Sequence, residues 1–151
     1  MSTLVKICGL SSEDALDAAL EAGADALGFV LSPSPRQISL ARAQELLARV
    51  PPGVEKIAVF ARVTRAELAA ALELEFDGIQ AECDAPELFP LPAPRFFLPV
   101  LRAGPGLERG LRQLPASAAA SGRRSLQGCV LLDGPLGGGR GILVEIGRAH
   151  V

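Results

Sequence analysis

Short apolar runs alternate with amphipathic segments along the chain, and this alternation constrains the fold more than any other feature. The apolar runs predict six β-strands, at residues 4–8, 26–31, 56–61, 76–80, 96–101 and 128–132. Apolar residues at helical spacing predict helices after each of the first three strands. Continuous apolar strands separated by helices are typical of a parallel sheet.

Helix-start and helix-stop residues support this pattern. Ser11 and Asp14 fit a capping box that opens the first helix, and Gly23 is a natural stop. The second helix is predicted from Leu40 to Val50 and ends at the 51–53 Pro-Pro-Gly segment. Thr64 and Glu67 form a second capping-box pattern at the start of the third helix.

A single α/β domain fits the 151 residues. Six βα units suit either a doubly wound sheet or part of a (β/α)8 TIM barrel. The doubly wound alternative is disfavoured because no G-x-G-x-x-G motif follows the first strand. The sequence therefore predicts a partial TIM barrel of about six βα units, with the last two units missing.

Charge and composition exclude several function classes. The net charge of -2 gives no electrostatic footprint for nucleic acid or an anionic membrane surface. No apolar run reaches the roughly 18 to 20 residues of a membrane helix, and no signal-peptide pattern is present, which predicts a cytoplasmic protein. The three cysteines, Cys8, Cys83 and Cys129, form no C-x-x-C pair and suit free thiols. The single histidine, His150, disfavours zinc and Ser-His-Asp chemistry.

Two chemically active side chains fall at strand ends. Side chains alternate along a strand, so if Ile7 faces the outer helices, Lys6 and Cys8 face the barrel interior. The same alternation puts Leu131 and Asp133 on one face of the sixth strand. A barrel of this type carries its catalytic groups at the carboxyl ends of its strands, where Cys8 and Asp133 converge. Without further motifs, a small core residue is the more common role for a cysteine like Cys8, and a turn cap for an aspartate like Asp133.

Four motifs carry a family resemblance. They read V-K-I-C-G-L at 5–10, A-G-A-D-A-L-G-F-V at 22–30, S-P-R at 34–36, and L-L-D with a glycine-rich loop at 131–141. In order and spacing they resemble phosphoribosylanthranilate isomerase, a tryptophan-pathway enzyme, from residue 4 to about 143. The resemblance implies an Amadori rearrangement of N-(5'-phosphoribosyl)anthranilate, a phosphosugar, without a cofactor or a metal.

The family's site residues carry over by position. The resemblance implies that Cys8 is the general base and Asp133 the general acid, which requires Asp133 to stay protonated and Cys8 to reach its thiolate form. Arg36 would pair with the anthranilate carboxylate, because a planar guanidinium can donate two parallel hydrogen bonds to a carboxylate. Gly138 and Gly139 would contact the substrate from the loop after the sixth strand. The complete protein is expected to be a monomer or a homodimer.

Alternative functions stay open at this point. The chain could be a non-catalytic part-barrel that binds phosphosugars, or an aldolase-like lyase that forms a Schiff base on Lys6. Arg36 could be simply solvated, and Cys83 and Cys129 are predicted to be packing residues. Two departures from the family pattern affect substrate contacts: Glu82 lies in Q-A-E-C, where the family has Q-L-H-G, and Arg140 replaces a hydroxyl residue.

The end of the sequence also departs from the family. Relatives continue through a seventh and an eighth strand, whose loops bind the substrate phosphate. The last seven residues, 145–151, fit the codons GAG ATC GGA AGA GCA CAC GTC, the start of a widely used sequencing adapter. This predicts an incomplete isomerase domain at 1–144 and a non-native tail that includes His150. The 151-residue chain is accordingly expected to be inactive and poorly stable.

Overall fold

Six parallel strands form one sheet in the computed structural model, which describes residues 3–82, 95–113, 125–127 and 129–134. The strands are β1 (Lys6–Cys8), β2 (Ala26–Val30), β3 (Glu55–Val59), β4 (Gly78–Glu82), β5 (Phe96–Arg102) and β6 (Leu131–Asp133). The helices are α1 (Glu13–Glu21), α2 (Leu40–Leu47), α3 (Arg65–Leu72) and α4 (Leu107–Gln113).

The strands lie in the sheet in the order in which they occur along the chain. Each neighbouring pair is parallel, from β1 with β2 to β5 with β6. A doubly wound sheet would reverse its strand order at a switch point, whereas a (β/α)8 barrel does not. The sheet is therefore an open, six-stranded part of a TIM barrel, as the sequence predicted.

Side-chain alternation divides the core into two layers. The outer layer joins the sheet to the helices, and its strand residues are Leu27, Phe29, Ala58, Ile79 and Ala81. The inner layer fills the concave side of the sheet with Ala26, Val30, Ile57, Val59, Phe96 and Leu98. Both layers come from the same strands, because neighbouring residues point to opposite faces.

Each of the first three helices starts at a hydroxyl residue. The Oγ1 atom of Thr64 accepts a hydrogen bond from the backbone N–H of Glu67, whose carboxylate accepts one from the Thr64 N–H. The hydrogen bonds that the Thr64 N–H and hydroxyl donate to the Glu67 carboxylate lower the pKa of Glu67. The reciprocal pair of bonds confirms the predicted capping box. The predicted Ser11 cap is wrong, because the side chain of Ser12 caps α1 by accepting from the Ala15 N–H. Ser39 caps α2 in the same way.

Two aspartates fix the strand register at the amino ends of β2 and β4. The carboxylate of Asp25, just before β2, accepts a hydrogen bond of 2.8 Å from the Val5 N–H. Asp77, just before β4, does the same for the Lys56 N–H at 2.8 Å. β4 was predicted to start at residue 76 but starts at Gly78. The Asp77 side chain binds the backbone of β3 at this point, and the Phe76 ring packs on Phe29 in the outer layer.

The segment before β6 closes the inner layer instead of extending the strand. Leu126 packs into the inner layer, and its N–H donates to the Glu55 carboxylate at 2.8 Å. The Cys129 N–H then bonds to the Leu126 carbonyl, and β6 begins at Leu131. Of the predicted strand at 128–132, residue 128 lies outside the described residues, and 129–130 precede the strand. The predicted packing role of Cys129 is wrong, since Cys129 is exposed. Cys83 lies outside the described residues.

Within the described residues, the sheet has two edges without a further strand, β1 and β6. Four of the six large apolar side chains that are exposed in the described part of the chain lie on these edge strands or directly before them: Val5, Ile7, Val130 and Leu132. Unpaired backbone beside exposed apolar side chains is a template for association. Among the described residues, no helix is long and apolar enough to cross a membrane.

We predict that the 151-residue chain self-associates through these edges. The double variant Ile7→Lys/Leu132→Lys should shift it towards the monomer, because charge on an edge strand opposes strand pairing. Leu111→Lys is the matched control, since Leu111 is 50% exposed but lies on α4. Size-exclusion chromatography with light scattering measures the mass of each variant. A wild-type chain that stays monomeric as its concentration rises would contradict the prediction.

Candidate active site

Four polar side chains lie on the inner face at the carboxyl ends of their strands. They are Cys8 on β1, Glu82 on β4, Arg102 on β5 and Asp133 on β6. Their orientation follows from the strand parity, because Leu98 and Leu131 on the same faces pack into the inner layer. We call this group the rim residues.

Cys8 points inward, as predicted, and packs beside the inner layer. Its neighbour across the strand pair is Gly28, which is aligned with Cys8 in the parallel register. A Cβ atom on Gly28 would lie 2.8 Å from the Cys8 Sγ atom and 3.0 Å from the Lys6 Nζ atom. The glycine therefore makes the space in which the thiol and the amine lie close together.

Arg36 lies against the end of β1, so it is more than a freely solvated side chain. Its Nη1 atom donates a hydrogen bond of 3.3 Å to the Cys8 carbonyl. Its aliphatic part covers Gly9, where a Cβ atom would meet the Arg36 Cδ atom at 2.7 Å. Gly9 also has a φ angle of 89°, a conformation that favours glycine. A glycine at position 9 thus lets Arg36 reach the thiol end of β1.

Asp133 ends β6 on the inner face, and its two carboxylate oxygens differ in their contacts. Oδ1 accepts a hydrogen bond of 2.8 Å from the Gly134 N–H. Oδ2 lies 3.9 Å from the Arg102 Nη1 atom, and the Asp133 side chain is 36% exposed. The predicted turn-capping contact is therefore present, and it leaves one oxygen available for chemistry.

Glu82 and Arg102 form an ion pair that the sequence analysis did not predict. The Glu82 Oε1 atom accepts a hydrogen bond of 3.1 Å from the Arg102 Nε atom and a second one from Nη2. The Glu82 side chain is only 19% exposed. The predicted strands stop at residues 80 and 101, just before these two residues, and the signal that could have found them is the inward parity that each shares with its strand.

The predicted site residues fall into two groups on the inner face. Lys6, Cys8 and Arg36 lie together at β1, and Asp133 lies beside Arg102 at β6. Cys8 and Asp133 share the face and the rim as predicted, but they are on opposite edge strands of the open sheet. Gly138, Gly139 and Arg140 lie outside the described residues, as do 145–151. Within the described ranges, no group of three or more His, Cys, Asp or Glu side chains could hold a metal ion.

One inward polar group has no partner. The Oε1 atom of Gln80 on β4 is buried and accepts no hydrogen bond within the described part of the chain. Gln80 lies two residues before Glu82 and therefore on the same face of β4. The inner face thus keeps an acceptor below the rim residues.

A part-barrel of six parallel strands in sequence order belongs to the class of TIM-barrel proteins. Comparison with known proteins shows which of them the chain is similar to. The chain is 41% identical over 128 residues to the N-(5'-phosphoribosyl)anthranilate isomerase of Nitrobacter winogradskyi, covering 82% of this chain and 56% of that protein. It is 49% identical over 71 residues to the enzyme of the same name from Streptococcus pneumoniae, covering 47% of this chain and 36% of that protein.

A solved structure agrees with these relatives. The phosphoribosyl anthranilate isomerase of Thermus thermophilus superposes with a TM-score of 0.66 at 25% identity, covering 88% of this chain and 63% of that one. No protein-family model matches the chain. The chain is similar to N-(5'-phosphoribosyl)anthranilate isomerases, which confirms the resemblance in its motifs, and it covers between 36% and 56% of the length of these two curated relatives.

We predict that Gly28→Ala disturbs the site where Lys6 and Cys8 meet. The new methyl group would overlap the Cys8 Sγ atom, and the Cys8 Cα atom at 3.3 Å limits relaxation. The free energy of unfolding should fall by about 1–3 kcal/mol, the usual cost of overpacking. Gly106→Ala is the control, because nothing lies within 4 Å of its added Cβ. Urea unfolding at low protein concentration measures both variants, and equal midpoints would contradict the prediction.

Proposed function

We propose that this chain supplies the first six strands and the catalytic pair of an N-(5'-phosphoribosyl)anthranilate isomerase. One observation carries the proposal: Cys8 and Asp133 lie on the inner rim of a part-barrel whose relatives bear that name. The substrate would be N-(5'-phosphoribosyl)anthranilate, and the product its aminoketose isomer. No cofactor or metal takes part in the proposed reaction.

Asp133 starts the reaction by opening the ribose ring. Its carboxylic acid gives a proton to the furanose oxygen while the bond from that oxygen to C1' breaks, which leaves a C1'–nitrogen iminium and an aspartate carboxylate. The Asp133 Oδ2 atom is the candidate proton carrier, because Oδ1 already accepts the Gly134 N–H.

Cys8 continues the reaction by enolisation. Its thiolate takes the proton from C2', and the electron pair of that bond neutralises the iminium to give an enolamine. The enolamine then tautomerises to the ketone of the product. The Cys8 thiol lies on the inner face beside Gly28, where a substrate could approach it from within the barrel.

Arg36 is the proposed carboxylate-binding residue. It is held at the end of β1 by the Cys8 carbonyl and by Gly9, so its guanidinium is placed beside the general base. A bidentate pair with the anthranilate carboxylate would orient the sugar towards Cys8. Gly138 and Gly139 remain proposed substrate contacts. A cytoplasmic location and a monomeric or homodimeric state of the complete protein are likewise proposals.

The names of the relatives favour an isomerase over a Schiff-base lyase or a non-catalytic part-barrel. Lys6 nevertheless lies beside Cys8, so the tests must separate the two residues. They use residues 1–134 of this chain joined to the corresponding remainder of the Nitrobacter winogradskyi relative. We call this protein the completed barrel.

We predict that Cys8→Ser in the completed barrel lowers kcat by at least roughly 10²-fold, because a hydroxyl is a far weaker base than a thiolate. Cys129→Ser is the matched control, since Cys129 is exposed and lies in the turn before β6. Steady-state isomerisation and circular dichroism are measured for both. If Cys8→Ser keeps wild-type turnover and Lys6→Met abolishes it, Lys6 is the reactive group and Cys8 leaves the mechanism.

We predict that Asp133→Asn lowers kcat by roughly 10²- to 10⁴-fold with little change in KM. Asparagine keeps the size and the turn-forming capacity of the residue but cannot transfer a proton. Asp14→Asn, at an exposed position in the first turn of α1, controls for the general effect of the change. A drop in kcat below about tenfold lies outside the range for a general acid. It would make Asp133 a structural residue.

A further inference from the structure

Glu82, Arg102 and Asp133 lie in a row across the carboxyl ends of β4, β5 and β6. Arg102 lies in the middle, with its Nε and Nη2 atoms on the Glu82 carboxylate. Its remaining nitrogen, Nη1, faces the Asp133 Oδ2 atom at 3.9 Å, which is too long for a hydrogen bond. Glu82 thus holds the guanidinium, and Asp133 has only a distant contact with it.

This division of contacts bears on the proposed acid. Arginine binds a carboxylate best through two parallel N–H···O bonds from its planar fork. A fork placed on Asp133 would hold that residue as a carboxylate, because a nearby cation favours the ionised form. An ionised Asp133 has no proton to give to the ribose oxygen. The fork is instead engaged by Glu82.

The other charged groups of the described rim do not take over this role. The Arg62 Nε atom is 4.0 Å from the Glu82 Oε2 atom, and its side chain is 80% exposed. Arg36 contacts the Cys8 carbonyl, and Lys6 lies beside the Cys8 thiol, both at β1 on the opposite edge of the sheet. Arg102 is therefore the cation that faces Asp133, and Glu82 is its partner.

We propose that Glu82 is a positioning residue that keeps the Arg102 guanidinium off Asp133 and so leaves Asp133 free to donate its proton. The inference rests on the proposed function of Asp133. It also gives a role to the residue that breaks the family's Q-L-H-G pattern, since this chain has Glu82 at the histidine position. The interaction is a competition between two carboxylates for one guanidinium.

We predict that Glu82→Ala in the completed barrel lowers kcat/KM at pH 8 by at least about tenfold. The reason is that a cation in contact with a carboxyl group reduces its protonated fraction by about tenfold or more. Adding Arg102→Met to Glu82→Ala should restore most of the lost activity, because the competing cation is gone. Glu82→Gln should show a smaller loss, since its amide oxygen still accepts from Arg102. Glu75→Ala, at an exposed position, is the matched control.

Two results would overturn the inference. One is a double variant as impaired as Glu82→Ala, because Glu82 would then act by some route other than Arg102. The other is a crystal structure of the Glu82→Ala completed barrel in which Arg102 has not moved into direct contact with Asp133. If that variant does not fold, Glu82→Met takes its place in both measurements, because methionine keeps most of the side-chain volume but cannot hold the Arg102 guanidinium. A completed barrel without isomerase activity would refute the proposed function. The crystal structure of the variant would still test whether Glu82 keeps Arg102 away from Asp133.

Discussion

Parallel pairing in sequence order is the constraint on which the rest of the structure depends. Once β1 to β6 pair in register, the alternation of side chains sends every second residue to the inner face. Crowding on that face is relieved at two glycines. A Cβ on Gly28 would meet Cys8 and Lys6, and a Cβ on Gly78 would meet the Phe96 ring at 2.7 Å. The shape of the inner face therefore depends on these two glycines as well as on its apolar side chains.

The elements of the fold could be predicted from the sequence where they leave a local pattern of apolar residues, whereas features that depend on distant contacts could not. Apolar runs and helical spacing found all six strands, because burial on both faces leaves a continuous apolar signature. Strand ends were less predictable. The amino end of β4 depends on the Asp77 carboxylate, which binds the backbone of Lys56 at the start of the preceding strand. The sequence analysis assigned no role to Leu126, whose N–H bonds to Glu55, 71 residues earlier. Contacts of that range leave no trace in local periodicity.

The candidate site shows the same limit. Parity along one strand was enough to place Cys8 and Asp133 on the inner face, and motif spacing was enough to single out Arg36. The Glu82–Arg102 pair was missed because it depends on the register between two strands. Glu82 is aligned with Val100, so Arg102 lies one inward position further along β5. Only a long side chain that folds back can reach across this offset. Sequence alone gives neither the register nor the rotamer.

The position of the base and the acid explains why the proposed activity belongs to a complete barrel. Cys8 and Asp133 lie on β1 and β6, the two edges of the open sheet, with four strands between them. In a closed eight-stranded barrel, strand number and stagger fix the diameter and hence the distance across the mouth. Here nothing among the described residues bridges β6 to β1, and the outward side chains of Ile7 and Leu132 are exposed. Strand pairing that closes the barrel between β6 and β1 would also set the distance between the Cys8 thiol and the Asp133 carboxyl. The contacts that let both groups act on one substrate are therefore the same contacts that cover Ile7 and Leu132.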